Sequence, residues 1–222
     1  MTKVVAVTEA FKSLNEVETV ETRLGLTRQD DRSFFGEWQT DLPELSLQEN
    51  DRLRLLHQRL RYHRGDGDLL EGAVVLLVVS PLLELAGFYD PPFKIKVEVG
   101  VDLTIDDGEE ILRGRIDVLV LQQKLWLLVI AAKKSTLSTR SALPQALAYM
   151  MANGNPTEPT YGMITNGDDV LFIKLASSNH NSYSLSRSFS LGASELRISI
   201  NTHCLCSYNE EGNKQRGMTM LK

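Results

Sequence analysis

Apolar residues at Leu53, Leu56 and Leu60 recur at intervals of three and four, with Arg52, Arg54, Gln58 and Arg59 between them. This spacing predicts an amphipathic helix that docks one face on a core. Ser46 followed by Glu49 is a start signal of the capping-box type, and Asp66-Gly67-Asp68 ends the run. Val17, Val20 and Leu24 carry the same period earlier in the chain. Leu69 to Phe88 is more apolar still, and Gly87 with Tyr89-Asp90-Pro91-Pro92 closes it, because that stretch cannot continue a helix. The period then drops to two. Phe93 to Ile105 alternates as a half-buried strand does, Asp106-Asp107-Gly108 marks a turn, and Leu112 to Val120 and Leu125 to Ile130 follow as strands. Ser138 to Asn153 returns to helical spacing, with Pro144 setting where the regular helix begins. Thr160 to Thr165 and Val170 to Leu175 are apolar runs joined through Asn166-Gly167, a strong hairpin signal. Beyond Gly192 little periodicity remains; Glu195 to Ile200 reads as a short strand and Glu210 to Lys222 as a poorly ordered end.

The order α-β-β-β-α-β-β predicts an α/β fold with a central mixed sheet and helices on both faces. Residues 1–68 are expected to form a helical region packed on a core at 69–191, with an irregular tail at 192–222. In a chain of 222 residues, 42% hydrophobic and 24% charged composition is that of an ordinary globular protein, which sets disorder aside. The longest apolar run, Ala73 to Leu83, is broken by Ser80 and Pro81 and is too short to cross a bilayer. No secretion signal is read, so the expected location is the cytoplasm. Cys204, Cys206 and His203 cluster in the tail, but two thiols and one imidazole lack a fourth zinc ligand, and ordinary reduced thiols are the better reading. A net charge of −5 excludes a protein that coats nucleic acid through bulk charge. It leaves room for local basic strips, one at Lys133, Lys134 and Arg140 and another at Arg61, His63 and Arg64, although for each residue taken alone solvated surface is the better reading.

Candidate chemistry centres on the hairpin from Leu112 to Lys134. Asp117 is a lone acid on an apolar strand, and the next strand runs into Lys133 and Lys134. Residues two apart on a strand share a face, so position 131 and Lys133 point the same way. A carboxylate at 131 would stand beside that lysine and opposite Asp117, but the residue there is Ala131. Asp117 is as readily explained by an ion pair with Arg115 or Lys133. Glu71 lies in the first turn of its helix, where the helix dipole alone accounts for an acid. Gln145 and Tyr149, four apart on one helix face, can simply cover the core edge, and Trp126 reads as core.

Taken together, GRIDVLV, LWLLVIAAKK, Gln145 with Tyr149, and YGMITNGDDVLFIKL resemble the PD-(D/E)XK nuclease superfamily. Within it they are similar to small stand-alone proteins like the N-terminal nuclease domain of type I restriction enzyme R subunits. The resemblance runs from the Leu69 helix to Leu175, with Arg64 to Glu71 also family-like. It implies a three-layer restriction-endonuclease-like core and a Mg²⁺- or Mn²⁺-dependent DNA endonuclease. In that scheme Asp117 and Glu71 are metal ligands, Lys133 is the motif lysine, Gln145 and Tyr149 lie beside the site, and Lys134, Arg140 and Arg64 meet DNA. Ala131 departs from the pattern, which has Glu or Asp there, and the residue two before Lys134 is Ala132, so a register shift does not restore it. An inactivated variant, a natural pseudo-nuclease kept for DNA binding, and takeover of the second ligand by Glu71 or Glu98 are the three explanations. The expectation is an endonuclease frame with impaired activity; the alternative class is a non-catalytic nucleic-acid-binding or assembly module. Cutting both strands with one site per chain would favour a homodimer. No glycine-rich phosphate loop is seen, so no translocating motor accompanies the site.

Overall fold

Helices cover both faces of one nine-stranded mixed sheet, a three-layer α/β arrangement. The computed structural model describes residues 3–10, 16–31, 33–34, 45–105, 109–122, 125–153, 159–176 and 181–191. The Asp106-Asp107-Gly108 turn and the expectations for the tail, including Cys204, Cys206 and His203, lie outside the described residues. In chain order the elements are β1 (Lys3–Ala6), α1 (Val7–Ala10), α2 (Glu16–Leu24), β2 (Leu26–Arg28), α3 (Leu47–Arg64) and α4 (Glu71–Val74). A π-helical segment (Val75–Val79) and α5 (Ser80–Leu85) continue α4. Then come β3 (Phe93–Ile105), β4 (Glu110–Gln122), β5 (Leu125–Ala132), a 3₁₀ turn (Thr139–Ala142), α6 (Leu143–Met151), β6 (Thr160–Thr165), β7 (Asp169–Ala176), β8 (Asn181–Leu185) and β9 (Phe189–Ser190). The sheet order is β1-β4-β5-β6-β7-β8-β2, with β3 also paired to β4 and β9 to β7.

The long elements follow their periodicity. Leu53, Leu56 and Leu60 of α3 are buried, and its start carries the capping box: Ser46 Oγ accepts from the Glu49 N–H at 3.2 Å, while the Glu49 carboxylate accepts from the Ser46 N–H at 2.7 Å. Pro144 sits in the first turn of α6, where its missing N–H is not needed. In the N-terminal region expected to be helical, the described residues also add two strands to the sheet, β1 beside β4 and β2 beside β8. Runs as short as Lys3–Ala6 and Leu26–Arg28 are too brief to show a period of two.

Two cores sandwich the sheet. Leu53, Leu56 and Leu60 of α3 and the apolar face of α4 to α5 pack on Val118, Val120, Ile130, Ala132, Met163 and Phe172. On the other face α2 and α6 pack on Leu112, Ile116, Leu119, Ala131, Ile164, Leu171 and Tyr183. Pro81 shapes the first layer. It has no N–H and its ring crowds the carbonyl four residues back, and the chain responds with the wider π segment, closed by the Ser80 N–H on the Val75 carbonyl.

The hairpin of β3 and β4 changes faces midway. Phe93 and Ile95 belong to the α3 side, yet Val99, Val101 and Ile105, at the same alternation, belong to the α6 side. On β4 the change falls between Ile116 and Val118. The pairs Val97 with Val118 and Val99 with Ile116 flank it, and between them Glu98 adopts φ 52°, a left-handed conformation uncommon outside glycine. Asp117 therefore stands where the two-strand ribbon turns over, and a side chain there is committed to neither core.

Candidate functional site

The edge of β4 away from β3 is shared by two strands with a gap between them. β1 pairs with Glu110 to Arg113 and β5 with Val118 to Gln122, so among the described residues Gly114 to Asp117 face no strand on that edge. Past the pair Val118 with Ile130, β4 and β5 diverge. In the fork Asp117 Oδ2 accepts the Ala132 N–H at 2.7 Å, taking over a hydrogen bond that the strand ladder no longer supplies. Burial pushes the Asp117 carboxyl above the usual carboxylate range and the Glu71 charge adds to this, against the lowering pull of the Ala132 N–H, Lys133 and Arg115.

The end of β5 carries Lys133 into the same fork. Its N–H donates to the Thr165 carbonyl at 2.8 Å, which keeps it aligned with β6 beyond the last strand residue. Its ammonium, with the side chain only 13% exposed, donates to Gln145 Oε1 at 2.7 Å and lies 3.6 Å from Glu71 Oε1. A lysine only donates, so this contact turns the Gln145 amide until its NH₂ faces Tyr149, whose hydroxyl accepts it at 2.6 Å. The same hydroxyl accepts the Arg115 N–H at 3.2 Å, from the uncovered edge of β4. Burial pushes the Tyr149 phenol up, so it stays protonated. Lys133, Gln145, Tyr149 and the β4 backbone thus form one continuous chain of hydrogen bonds that closes the gap between β1 and β5.

Five of the residues singled out from sequence meet here: Asp117, Glu71, Lys133, Gln145 and Tyr149. Among the described residues Asp117 makes no ion pair, and Lys133 and Arg115 act on it at longer range; the ammonium of Lys133 goes to Gln145 and Glu71. Glu98 stands across from Asp117 but is exposed and pairs with Arg115 at 3.6 Å, leaving Glu71 as the second acid that acts on Asp117. Ala131 is 1% exposed and belongs to the core on the α6 face, the face from which Lys133 reaches Gln145. Lys134 and Arg140 are exposed, and their side chains make no ion pair among the described residues. Arg64 is committed to Asp168 and braces the turn between β6 and β7. Trp126 packs against the core, as its surroundings in sequence suggested.

Three supporting roles are not legible in the sequence, where Asn166 marks only a turn and Gly114 is only part of a motif. Ser135 is buried and tied to Leu69 in both directions: its N–H donates to the Leu69 carbonyl at 3.1 Å and its Oγ accepts the Leu69 N–H at 3.0 Å. This clamp sets Glu71, two residues on, against Lys133, two residues back. Asn166 Oδ1 accepts the N–H groups of Asp168 and Asp169 while its Nδ2 donates to the Leu137 carbonyl at 2.8 Å, fastening the loop after Lys133 to the turn after β6. Gly114 lets the Tyr149 ring lie on the strand, since a Cβ there would come within 2.8 Å of the Tyr149 hydroxyl. A glycine inside a strand is the one signal of a close approach among the three. Replacing Ser135 with alanine strands the buried Leu69 N–H and is expected to cost about 1–3 kcal/mol, read from urea unfolding, with Ser135→Thr keeping the acceptor and most of the stability.

The molecule is thus a mixed α/β protein with two carboxylates, one ammonium and an amide-phenol pair gathered where its central strands part. No family model matches the sequence, and no curated protein matches it. Among solved structures it is similar to the fragment structure of a putative HsdR subunit of a type I restriction enzyme from Vibrio vulnificus YJ016, at 19% identity and a TM-score of 0.40. The match covers 64% of this chain and 26% of that one, so the chain spans about a quarter of the length of that structure. Among the described residues no helix is long and apolar enough to cross a membrane.

Proposed function

We propose that this chain carries the frame of a metal-dependent DNA endonuclease whose hydrolytic step is impaired at Ala131. The observation supporting it is the meeting of Asp117 from β4, Glu71 from α4, Lys133 from the end of β5 and Gln145 and Tyr149 from α6 at one strand fork. Asp117 keeps one carboxylate oxygen beyond the Ala132 N–H, and Glu71 adds another acid, an oxygen donor set suited to Mg²⁺ or Mn²⁺. Asp117 and Glu71 are the two acids that meet among the described residues at the fork, a small donor set that would hold the ion weakly. When bound, the ion supplies positive charge for the phosphate and a more acidic water. Lys133, oriented by Gln145, stabilises charge on the phosphate oxygens. Lys134 and Arg140 take flanking phosphates. The work would lie in the cytoplasm, and a homodimer would place two sites on two strands.

A second reading, a non-catalytic DNA-binding module, is favoured by the burial of Ala131 inside an apolar core. The Ala131→Glu protein separates the two. Incubated with supercoiled plasmid and Mg²⁺ or Mn²⁺, it is expected to nick or linearise the DNA, and a further Asp117→Ala change is expected to end the cutting. A restored protein that stays folded by circular dichroism, binds DNA and never cuts with any divalent ion would establish the binding module instead.

A further inference from the structure

Leu70 and Leu137 are exposed leucines on the two segments that the Leu69–Ser135 clamp holds together. Leu70 is the N-cap of α4, in extended conformation with no side-chain hydrogen bond to the first turn, and it is 63% exposed. Ser, Thr, Asp or Asn would stabilise that position, and an exposed leucine contributes nothing to either core. Leu137 lies in the turn after Lys133, closed by its N–H on the Lys134 carbonyl at 3.0 Å, and is 43% exposed. The clamp between Leu69 and Ser135 brings these two segments together, so one exposed leucine immediately precedes Glu71 and the other lies three residues after Lys134.

We infer that Leu70 and Leu137 are apolar wedges for unstacked bases, and that the nucleic acid taken at this site is DNA with a local unpaired or distorted step. The inference rests on the nuclease reading, from which the DNA ligand comes. Intact duplex hides its base faces by stacking, and its backbone offers phosphates, which suit Lys134 and Arg140 but not two leucines. Apolar side chains find a partner in DNA where a base step opens, as they do in proteins that kink or unstack it. Cations beside exposed apolar side chains therefore fit an opened step better than a regular one.

Fluorescence anisotropy with the native full chain, comparing a labelled duplex with the same duplex carrying a small unpaired bulge, tests this. The bulged DNA is expected to bind about tenfold more tightly, the scale on which covering one leucine changes affinity. Leu70→Ser and Leu137→Ser should each remove most of that preference. Leu70→Ser should do so while the melting temperature holds or rises, because serine caps α4; a purely structural leucine would show the opposite. Equal binding of both DNAs, or a preference that survives both substitutions, overturns the inference and leaves the nuclease reading standing. Binding to neither DNA removes both.

Discussion

Asp117→Asn is expected to stabilise the protein at neutral pH while sharply lowering the cleavage that Ala131→Glu restores. Asparagine keeps an oxygen for the Ala132 N–H, so the fork retains its bond. What disappears is a charge that burial disfavours: the Asp117 carboxyl is raised above its ordinary value of 3.8 in the folded protein. A raised acid binds its proton more readily folded than unfolded, so the native chain loses stability as pH climbs from about the ordinary carboxylate value through the raised one. The asparagine protein escapes that loss. In chelator-treated buffer the two should melt alike in acid and diverge as pH rises, with the asparagine protein the higher. Millimolar Mg²⁺ should then raise the melting temperature of the native chain alone, because a ligand bound only to the folded state stabilises it. In the Ala131→Glu background, removing the Asp117 charge should lower plasmid cutting by roughly a hundredfold to a thousandfold, the scale of a single preorganised electrostatic group. A native chain that melts higher than the variant across the whole pH range would show that Asp117 is a satisfied structural acid.

Gly114→Ala is the second substitution with a large expected effect. The added methyl would press on the Tyr149 ring, which is 2% exposed and held by Gln145 and the Arg115 N–H. Tyr149 cannot swing aside without breaking both bonds, and overpacking of this kind costs about 1–3 kcal/mol. For a chain of this size that corresponds to a fall of roughly 2–12 °C in melting temperature. Lys133 would lose its orientation with Gln145, so DNA cutting by the Ala131→Glu protein should fall further than stability alone explains. Gly100→Ala, on the adjacent strand with nothing within 4 Å of its Cβ position, is the control and should change little. Equal melting of the two variants would mean that Tyr149 is not packed on β4 as described.

Much of this layout was legible before any coordinates, for identifiable reasons. The Leu53, Leu56, Leu60 stripe and the alternation of Phe93 to Ile105 are long enough for burial on one face to impose a period. β8 and β9 were not, because Asn181–Leu185 and Phe189–Ser190 are short, and in β8 the buried Ser184 breaks any apolar alternation. The roles of Asp117 and Lys133 could not be separated from an ion pair by sequence, since the answer depends on where two strands part. That parting leaves Asp117 with a backbone donor and sends Lys133 to an amide on α6. Ser135 gave no warning and Asn166 announced only its turn, because a single polar residue in a loop does not reveal which distant backbone group it will meet.

The π segment in the helix that carries Glu71 has a geometric consequence. A helix advances about 100° per residue, and one residue accommodated out of phase offsets everything on its N-terminal side by about that angle. The apolar face of α5 is fixed by packing against the sheet, while the direction of Glu71 is fixed by the number of residues between them, among which Leu76 turns to solvent. Pro81 therefore works as a phase adjuster: the residue that forbids a regular turn lets the same helix bury its hydrophobic side and still aim an acid at the fork.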